Sequence, residues 1–477
     1  MFKDLVPYHV GERSRWTTVR LGGVCHVFKA NGGSKDDDAE AGVPCVRYGD
    51  LYTRFGTAIR RVERRVRADV ADRYTRVVLG DLLFAASGET IEEIGRCAVN
   101  LVIGDVRASG DIIVARPRGD VAPEFLALAV DTPAARRHRA ASATGTVIVH
   151  LGGSAIKTLR VDLPSLREQA AIVKYLAHAH RRIDLAIAAK RKMIALLEEQ
   201  KQAIINQAVT RGLDSRARLL KSDNPWIALV PAGWSVMRLK GLIGPIGQGW
   251  SPQCDAQVPR DGEWGVLKAG CTNYGRLRPD ESKRLAQGLE PRPELQPRRD
   301  DILMSRASTL ALVGSAALVE TDLQRLMISD KIFRFRVTSA SADSRFVVRA
   351  LASRPSRAQI ECAASGASHS MQNIGQSVVR ELWIAVPPME EQRDILAFIA
   401  AETATADAAI DRTRREIELL PEFRTRLTSE VVTGQLDVRH IAATLPDLDP
   451  EESAGDVGLP EDDLVDEAAE LMEGVDA

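Results

Sequence analysis

The residues best suited to chemistry in this chain form partial signatures. Asp223-Asn224-Pro225-Trp226 has the start of a methyl-transfer signature but lacks its second proline, and no glycine-rich cofactor loop accompanies it. Pro279-Asp280-Glu281-Ser282-Lys283 holds the letters of a nuclease motif, but its acids are adjacent, whereas metal-binding nuclease carboxylates come from separated strand positions. His178 and His180 share a helical stretch on different faces, without ligand spacing, and no metal site is expected. No G-x-x-x-x-G-K-[ST] phosphate loop is present. The pairs Glu168-Gln169 and Glu391-Gln392 could do acid–base work. Each follows a proline by four or five residues, at Pro164 and Pro387, where a long helix begins. The structural reading is the stronger one, since Glu and Gln in a first turn satisfy free backbone N–H groups and the helix dipole. No catalytic residue is assigned.

Binding chemistry is better represented. Arg54, Arg60, Arg61, Arg64, Arg65 and Arg67 form a dense cationic cluster. A second group, Lys268, Asn273, Arg276 and Arg278, follows a strand-like run. Arg306 and His369-Ser370-Met371-Gln372 are further polar sets in loop-like stretches. Arginine and lysine serve phosphates, arginine reads guanine, and Asn or Gln pairs with adenine. For any one of these residues a solvated surface group is the plainer alternative. The formal net charge of -1 conceals a basic body and an acidic tail, with no Lys or Arg after Arg439. A basic body suits a polyanion.

The elements that must position these groups occur twice. Residues 163–176, LPSLREQAAIVKYL, parallel 386–399, VPPMEEQRDILAFI, and the same offset runs through Asp184/Asp407, Leu197/Leu420 and Asp214/Asp437. Upstream, Trp16-Thr-Thr-Val-Arg-Leu21 parallels Trp234-Ser-Val-Met-Arg-Leu239, and Gly80-Asp81 parallels Asp300-Asp301. Each half is a globular module followed by a long helix. In the first helix Ile172, Leu176, Ala179, Ile183, Ala186, Lys190, Met193, Leu197, Gln200 and Ile204 alternate steps of four and three, the rhythm of a coiled-coil seam. Gly212 is placed to end it. Two such helices can pack antiparallel, and Pro421 is expected to kink or interrupt the second. Val43–Arg47, Ile112–Arg116, Gly265–Lys268 and Lys331–Arg336 read as strands, and the stretches from Phe125 and Phe346 as helices. At 477 residues and 45% hydrophobic content the chain suits two to four structural units. The six scattered cysteines, the lack of an apolar span and the amino terminus without an apolar stretch point to a reducing cytoplasm and no membrane.

These repeated motifs resemble the specificity (S) subunits of type I restriction–modification enzymes over about residues 16–440. The resemblance rests on the "P-P-L-x-E-Q" helix start, here Leu163-Pro-Ser-Leu-Arg-Glu-Gln169 and Val386-Pro-Pro-Met-Glu-Glu-Gln392. It rests equally on the helix endings Ala208-Val-Thr-Arg-Gly-Leu-Asp214 and Val431-Val-Thr-Gly-Gln-Leu-Asp437, and on Pro225-Trp226 with Pro231-x-x-Trp234. It implies an α+β chain in which two mixed α/β target-recognition domains are separated by two long antiparallel helices, with an internal pseudo-two-fold repeat. The divisions expected are an arm (1–15), recognition domain 1 (16–162), helical spacer 1 (163–214), a linker (215–233), recognition domain 2 (234–385), helical spacer 2 (386–439) and an acidic, disordered tail (440–477).

The partners implied are double-stranded DNA, two modification subunits carrying S-adenosylmethionine, and two restriction subunits using ATP and Mg2+. No cofactor is expected on this chain. A methyltransferase-only system, a self-sufficient enzyme and a coiled-coil adaptor without DNA readout remain alternatives. Because the two modules differ in sequence, the target is expected to be bipartite and asymmetric.

Overall fold

A computed structural model describes residues 16–145, 148–368 and 371–448. The chain divides into two compact units, one of residues up to Met193 joined by those from Arg412 onward, the other Ile194–Asp411. The arm at 1–15 and most of the expected tail lie outside the described residues.

In the first unit the strands Cys25–Lys29, Ile112–Pro117, Leu82–Ala85, Cys97–Asn100 and Ala58–Ile59 form one five-stranded sheet in that order. A second sheet runs Asp38–Ala39, Arg65–Val66, Val43–Val46, Val106–Ala108, Thr75–Val77. Leu82–Ala85 is buried throughout, and a strand covered on both faces reads as an unbroken apolar run. Thr17–Arg20 pairs antiparallel with Arg160–Leu163, closing the module beside the start of the first long helix. Phe125 and Leu126 of the helix Pro123–Ala129 share the core with Ile172, Leu176 and Ala179 of the first long helix and with Leu427 and Val431 of the second.

The second unit holds a sheet ordered Gly247–Gln248, Ile332–Phe335, Ile302–Ser305, Ala316–Leu318 and another ordered Cys254–Asp255, Ser282–Leu285, Gly265–Leu267, Leu326–Ile328. Ser235–Arg238 pairs antiparallel with Trp383–Val386, in front of the second long helix. Ile205, Ala208 and Val209 of the first long helix join Ile395 and Ile399 of the second in its core.

The long helices are Leu166–Arg211 and Met389–Val432, 46 and 44 residues. In the first unit their contacts run antiparallel: His180 meets Thr428 (2.9 Å), Asp184 meets Arg424, and Lys190 meets Glu416 (2.5 Å). In the second unit Lys201 meets Asp407 at 2.5 Å. The apolar seam differs from the expected one. Ile172, Leu176, Ala179 and Ile183 are buried, but Met193 and Gln200 are exposed, and Ile205, Ala208 and Val209 take over burial. Leu185 and Ala188 carry the burial past Ile183, and Lys190 and Lys201 add ion pairs to Glu416 and Asp407.

Three further expectations change. The second helix runs unbroken through Pro421. Its lost N–H bond is outweighed by the burial of Leu420, Leu427 and Val431. The linker carries an antiparallel hairpin, Leu219–Lys221 with Leu229–Pro231, anchored by buried Ile227 and Val230. The start of the expected tail is the helix Arg439–Thr444, with Ala442 and the preceding Val438 in the first unit's core. Gly212 ends the first helix as expected, at φ 75°, under the ring of Trp234.

Gln169 and Gln392 do something other than cap. Gln169, 1% exposed, accepts from the Ala122 N–H at 2.8 Å and donates to the Pro164 carbonyl at 2.9 Å. Gln392, 0% exposed, accepts from the Asp343 N–H and donates to the Ser341 and Pro387 carbonyls, each at 2.8 Å. Each amide thus fastens the start of a long helix to the backbone of its own module. Replacing Gln392 with leucine strands those three backbone groups, and a loss of about 2–3 kcal/mol in a urea titration is expected.

Candidate nucleic-acid interface

The first unit's arginines are largely spoken for. Arg64 grips Asp38 at 2.6 Å and Asp50 at 3.1 Å, and Arg47 holds the other oxygen of Asp38 at 2.5 Å. Burial works to raise the Asp38 pKa, but the two guanidiniums outweigh it and hold it below the ordinary value. The bond to Asp50 in turn holds the Arg64 pKa above its usual value. Arg54 pairs with Asp50 and Glu63, both at 3.4 Å, and Arg67 with Asp69 at 3.3 Å. Arg65 donates to the Gly42 carbonyl at 3.0 Å. Arg60 is half-buried, which lowers its pKa, while Arg61 is exposed. Strand pairing of Asp38 with Val66 and Ala39 with Arg65 delivers the neutralising acids. The Asp36-Asp37-Asp38 run was the available sign of this. Arg54, Arg61 and Arg67 are exposed to solvent.

In the second unit Lys268 and Arg278 both hold Glu281, at 2.8 and 3.2 Å, and Arg278 also approaches Asp280 at 3.7 Å. The acids of the nuclease-like stretch are therefore ion-pair partners. Arg276 reaches Asp411 at 3.5 Å, and Asn273, its partner across a two-stranded hairpin, is exposed. Arg306 donates to the Asp330 carbonyl at 3.3 Å. Gln372 lies opposite Ser308 in the ribbon Ala307–Ser308 with Met371–Asn373, and the Arg306 carbonyl accepts from Ile374 N–H at 3.0 Å. Arg306 and Gln372 are thus brought to one ribbon, and Asn273 and Arg276 to one hairpin. His369 and Ser370 lie outside the described residues. Among the described residues no three His, Cys, Asp or Glu side chains stand together to hold a metal, and no helix is long and apolar enough to cross a membrane.

Glu168 and Glu391 stay at the helix starts. The Glu168 carboxylate lies 3.9 Å from Arg439, and Glu391 lies against Gly212.

Residues 13–194 match a family model described as the type I restriction modification DNA specificity domain. The chain is similar to the type I restriction enzyme EcoEI specificity subunit of Escherichia coli, 29% identical over 209 residues, 44% of this chain and 35% of that one. It is similar to the StySPI specificity subunit of Salmonella potsdam, 22% identical over 375 residues and 77% of each chain. A putative MjaX specificity subunit of Methanocaldococcus jannaschii is 24% identical over 285 residues, 60% of this chain and 61% of that one. The match thus spans about a third of the EcoEI subunit's length and three-fifths of the MjaX subunit's. A solved chain described under "complex assembly and conformational transition of the type I R-M system" shares the fold, at TM-score 0.58 and 17% identity, covering 90% of this chain and 100% of that one. Residues 13–194 of the chain thus match the type I restriction modification DNA specificity domain, and the chain is similar to specificity subunits of type I restriction enzymes.

Proposed function

We propose that this chain is the DNA-reading subunit of a type I restriction–modification complex and does no chemistry of its own. One observation carries the reading. Both units build two sheets whose order agrees over four strands, the first unit adding a fifth to each, close them with an antiparallel strand pair, and rest them on segments of two long helices. A module of this size covers a few base pairs of major groove. Two of them, at residues 16–162 and 234–385, on a spacer made by 163–214 and 386–439, form a pseudo-two-fold reader of two short half-sites with unread bases between, as half-site spacing works in dimeric readers. Their different sequences make the target asymmetric.

The same helices dock two modification subunits, which bring S-adenosylmethionine, and the assembly takes two restriction subunits with ATP and Mg2+, in the cytoplasm. Sequencing the methylated adenines in cells expressing the complex tests this directly: a bipartite, non-palindromic motif that disappears with this chain is expected. The purified chain with S-adenosylmethionine, ATP, Mg2+ and duplex is expected neither to methylate nor to cut, and either activity refutes the reading. Its duplex affinity is expected to fall about a thousandfold between 50 and 200 mM salt, as for a protein making several phosphate contacts. An adaptor without DNA readout would bind no duplex.

A further inference from the structure

Two loops outside the residues discussed so far share an unusual support. In the second unit, residues 309–315 leave the ribbon at Ser308 and turn back into the strand Ala316–Leu318. Thr309, Leu310 and Ala311 are exposed at the tip. Beneath them Arg357, only 8% exposed, donates to the Leu310 carbonyl at 2.9 Å and the Val313 carbonyl at 2.5 Å. The Tyr274 hydroxyl donates to the Ala311 carbonyl, and the Arg357 guanidinium lies over the Tyr274 ring, 5.6 Å from its centre.

Tyr274 holds a left-handed backbone, φ 43°, next to Gly275 at φ 91°, in the turn between Asn273 and Arg276. Such a turn calls for Asn or Gly, and an L side chain there is strained. The strain persists because Tyr274 is over-determined: its N–H also donates to Ser315 Oγ at 2.7 Å. Strain of this kind collects where geometry matters for function. The first unit repeats the support. Arg139, 2% exposed, donates to the Ile94 carbonyl at 3.2 Å, and the Tyr52 hydroxyl donates to the Ser87 carbonyl at 3.2 Å. The tip above them, Glu89 to Glu93, is exposed with Ile91 at its centre.

Arg139 also pairs with Asp131 and Arg357 with Glu361, each at 3.3 Å, yet burying a guanidinium even with such a partner is a poor way to gain stability. Spending one on each loop makes sense if the tip must not move, because reading a base edge tolerates errors of about half an ångström. Resting on the DNA-reading function above, we propose that loops 89–93 and 309–311 enter the major groove and read base edges, with Arg139, Tyr52, Arg357 and Tyr274 as positioning residues. An exposed aliphatic tip suits a thymine methyl group. The tips differ between the units, as two unlike half-sites require.

The test offers the full chain, assembled with its modification subunits, a duplex pool randomised over both half-sites. Leu310→Ala is expected to lower the preference at one or two adjacent positions of the second half-site about tenfold and to leave the first half-site unchanged. Tyr274→Phe, which loses the hydroxyl but keeps the ring, is expected to blur the same positions without lowering the melting temperature. A purely structural tyrosine would do the reverse. Wild-type selection retained by both variants overturns the assignment of the loops alone. A wild-type complex that enriches no bipartite sequence overturns the DNA-reading function and the assignment with it.

Discussion

Inserting seven residues into each long helix, after Met193 and after Asp411, is expected to weaken binding to the native target about a hundredfold or more. Two linked modules bind more tightly than either alone only while both can engage at once, and that gain, about 10²–10⁴, vanishes when the geometry forbids it. Seven residues preserve the phase of a helix pair and add two turns, about 10 Å. The insertion points coincide with the division between the units. They leave the Lys190–Glu416 and Lys201–Asp407 ion pairs on either side undisturbed. The duplex rises about 3.4 Å per base pair, so targets with the gap lengthened by about three base pairs are expected to regain binding, most strongly where the groove again faces the second module. Affinity for a single half-site should not change. An insertion variant that still prefers the original gap shows that the helices do not set it.

What the sequence disclosed and what it withheld divide along a physical line. The long helices announced themselves through a periodic apolar stripe and a repeated Pro-to-Gln start, because a helix face is written in local spacing. A wholly buried strand such as Gly265–Leu267 was legible as a short apolar run. Charge pairing was not. The arginines at 54–67 read as a free basic face because their acids, Asp38 and Asp50, arrive through sheet register and not through sequence neighbourhood. Gln169 and Gln392 stood out as motif letters. Their partners Ala122 and Asp343 lie nearly fifty residues upstream, which no capping rule reaches. The strut under residues 309–311 was wholly hidden, since a tyrosine at positive φ contradicts the local preference that sequence reasoning depends on. The linker hairpin was missed for the opposite reason: Asn224, Pro225 and Gly233 are genuine turn residues, and the strands on either side of Asn224-Pro225 are only three residues each.

The largest effect on stability is expected at an ion pair that each unit carries. Asp81, 0% exposed, takes both Nε and Nη2 of Arg116 at 2.8 Å and the Val78 N–H at 2.8 Å. Asp301 takes Arg336 at 2.6 Å and the Arg298 N–H at 2.8 Å. Each carboxylate sits at the head of its unit's most buried strand. A buried pair adds little net stability over an apolar isostere, but removing one partner leaves the other uncompensated, typically at 3–5 kcal/mol. Arg116 keeps over a third of its side chain in water, which tempers that penalty. Asp81→Ala is therefore expected to cost about 3 kcal/mol, read as faster amide exchange in Leu82–Ala85 and a lower thermal midpoint. Adding Arg116→Leu to Asp81→Ala should recover about 1 kcal/mol or more, since the second change removes the stranded charge. The half-site read by the second unit should stay as selective as in the wild type, because its own pair, Asp301 with Arg336, is intact. Strict additivity of the two substitutions would show that Asp81 and Arg116 act independently, and that the carboxylate serves the Val78 turn alone.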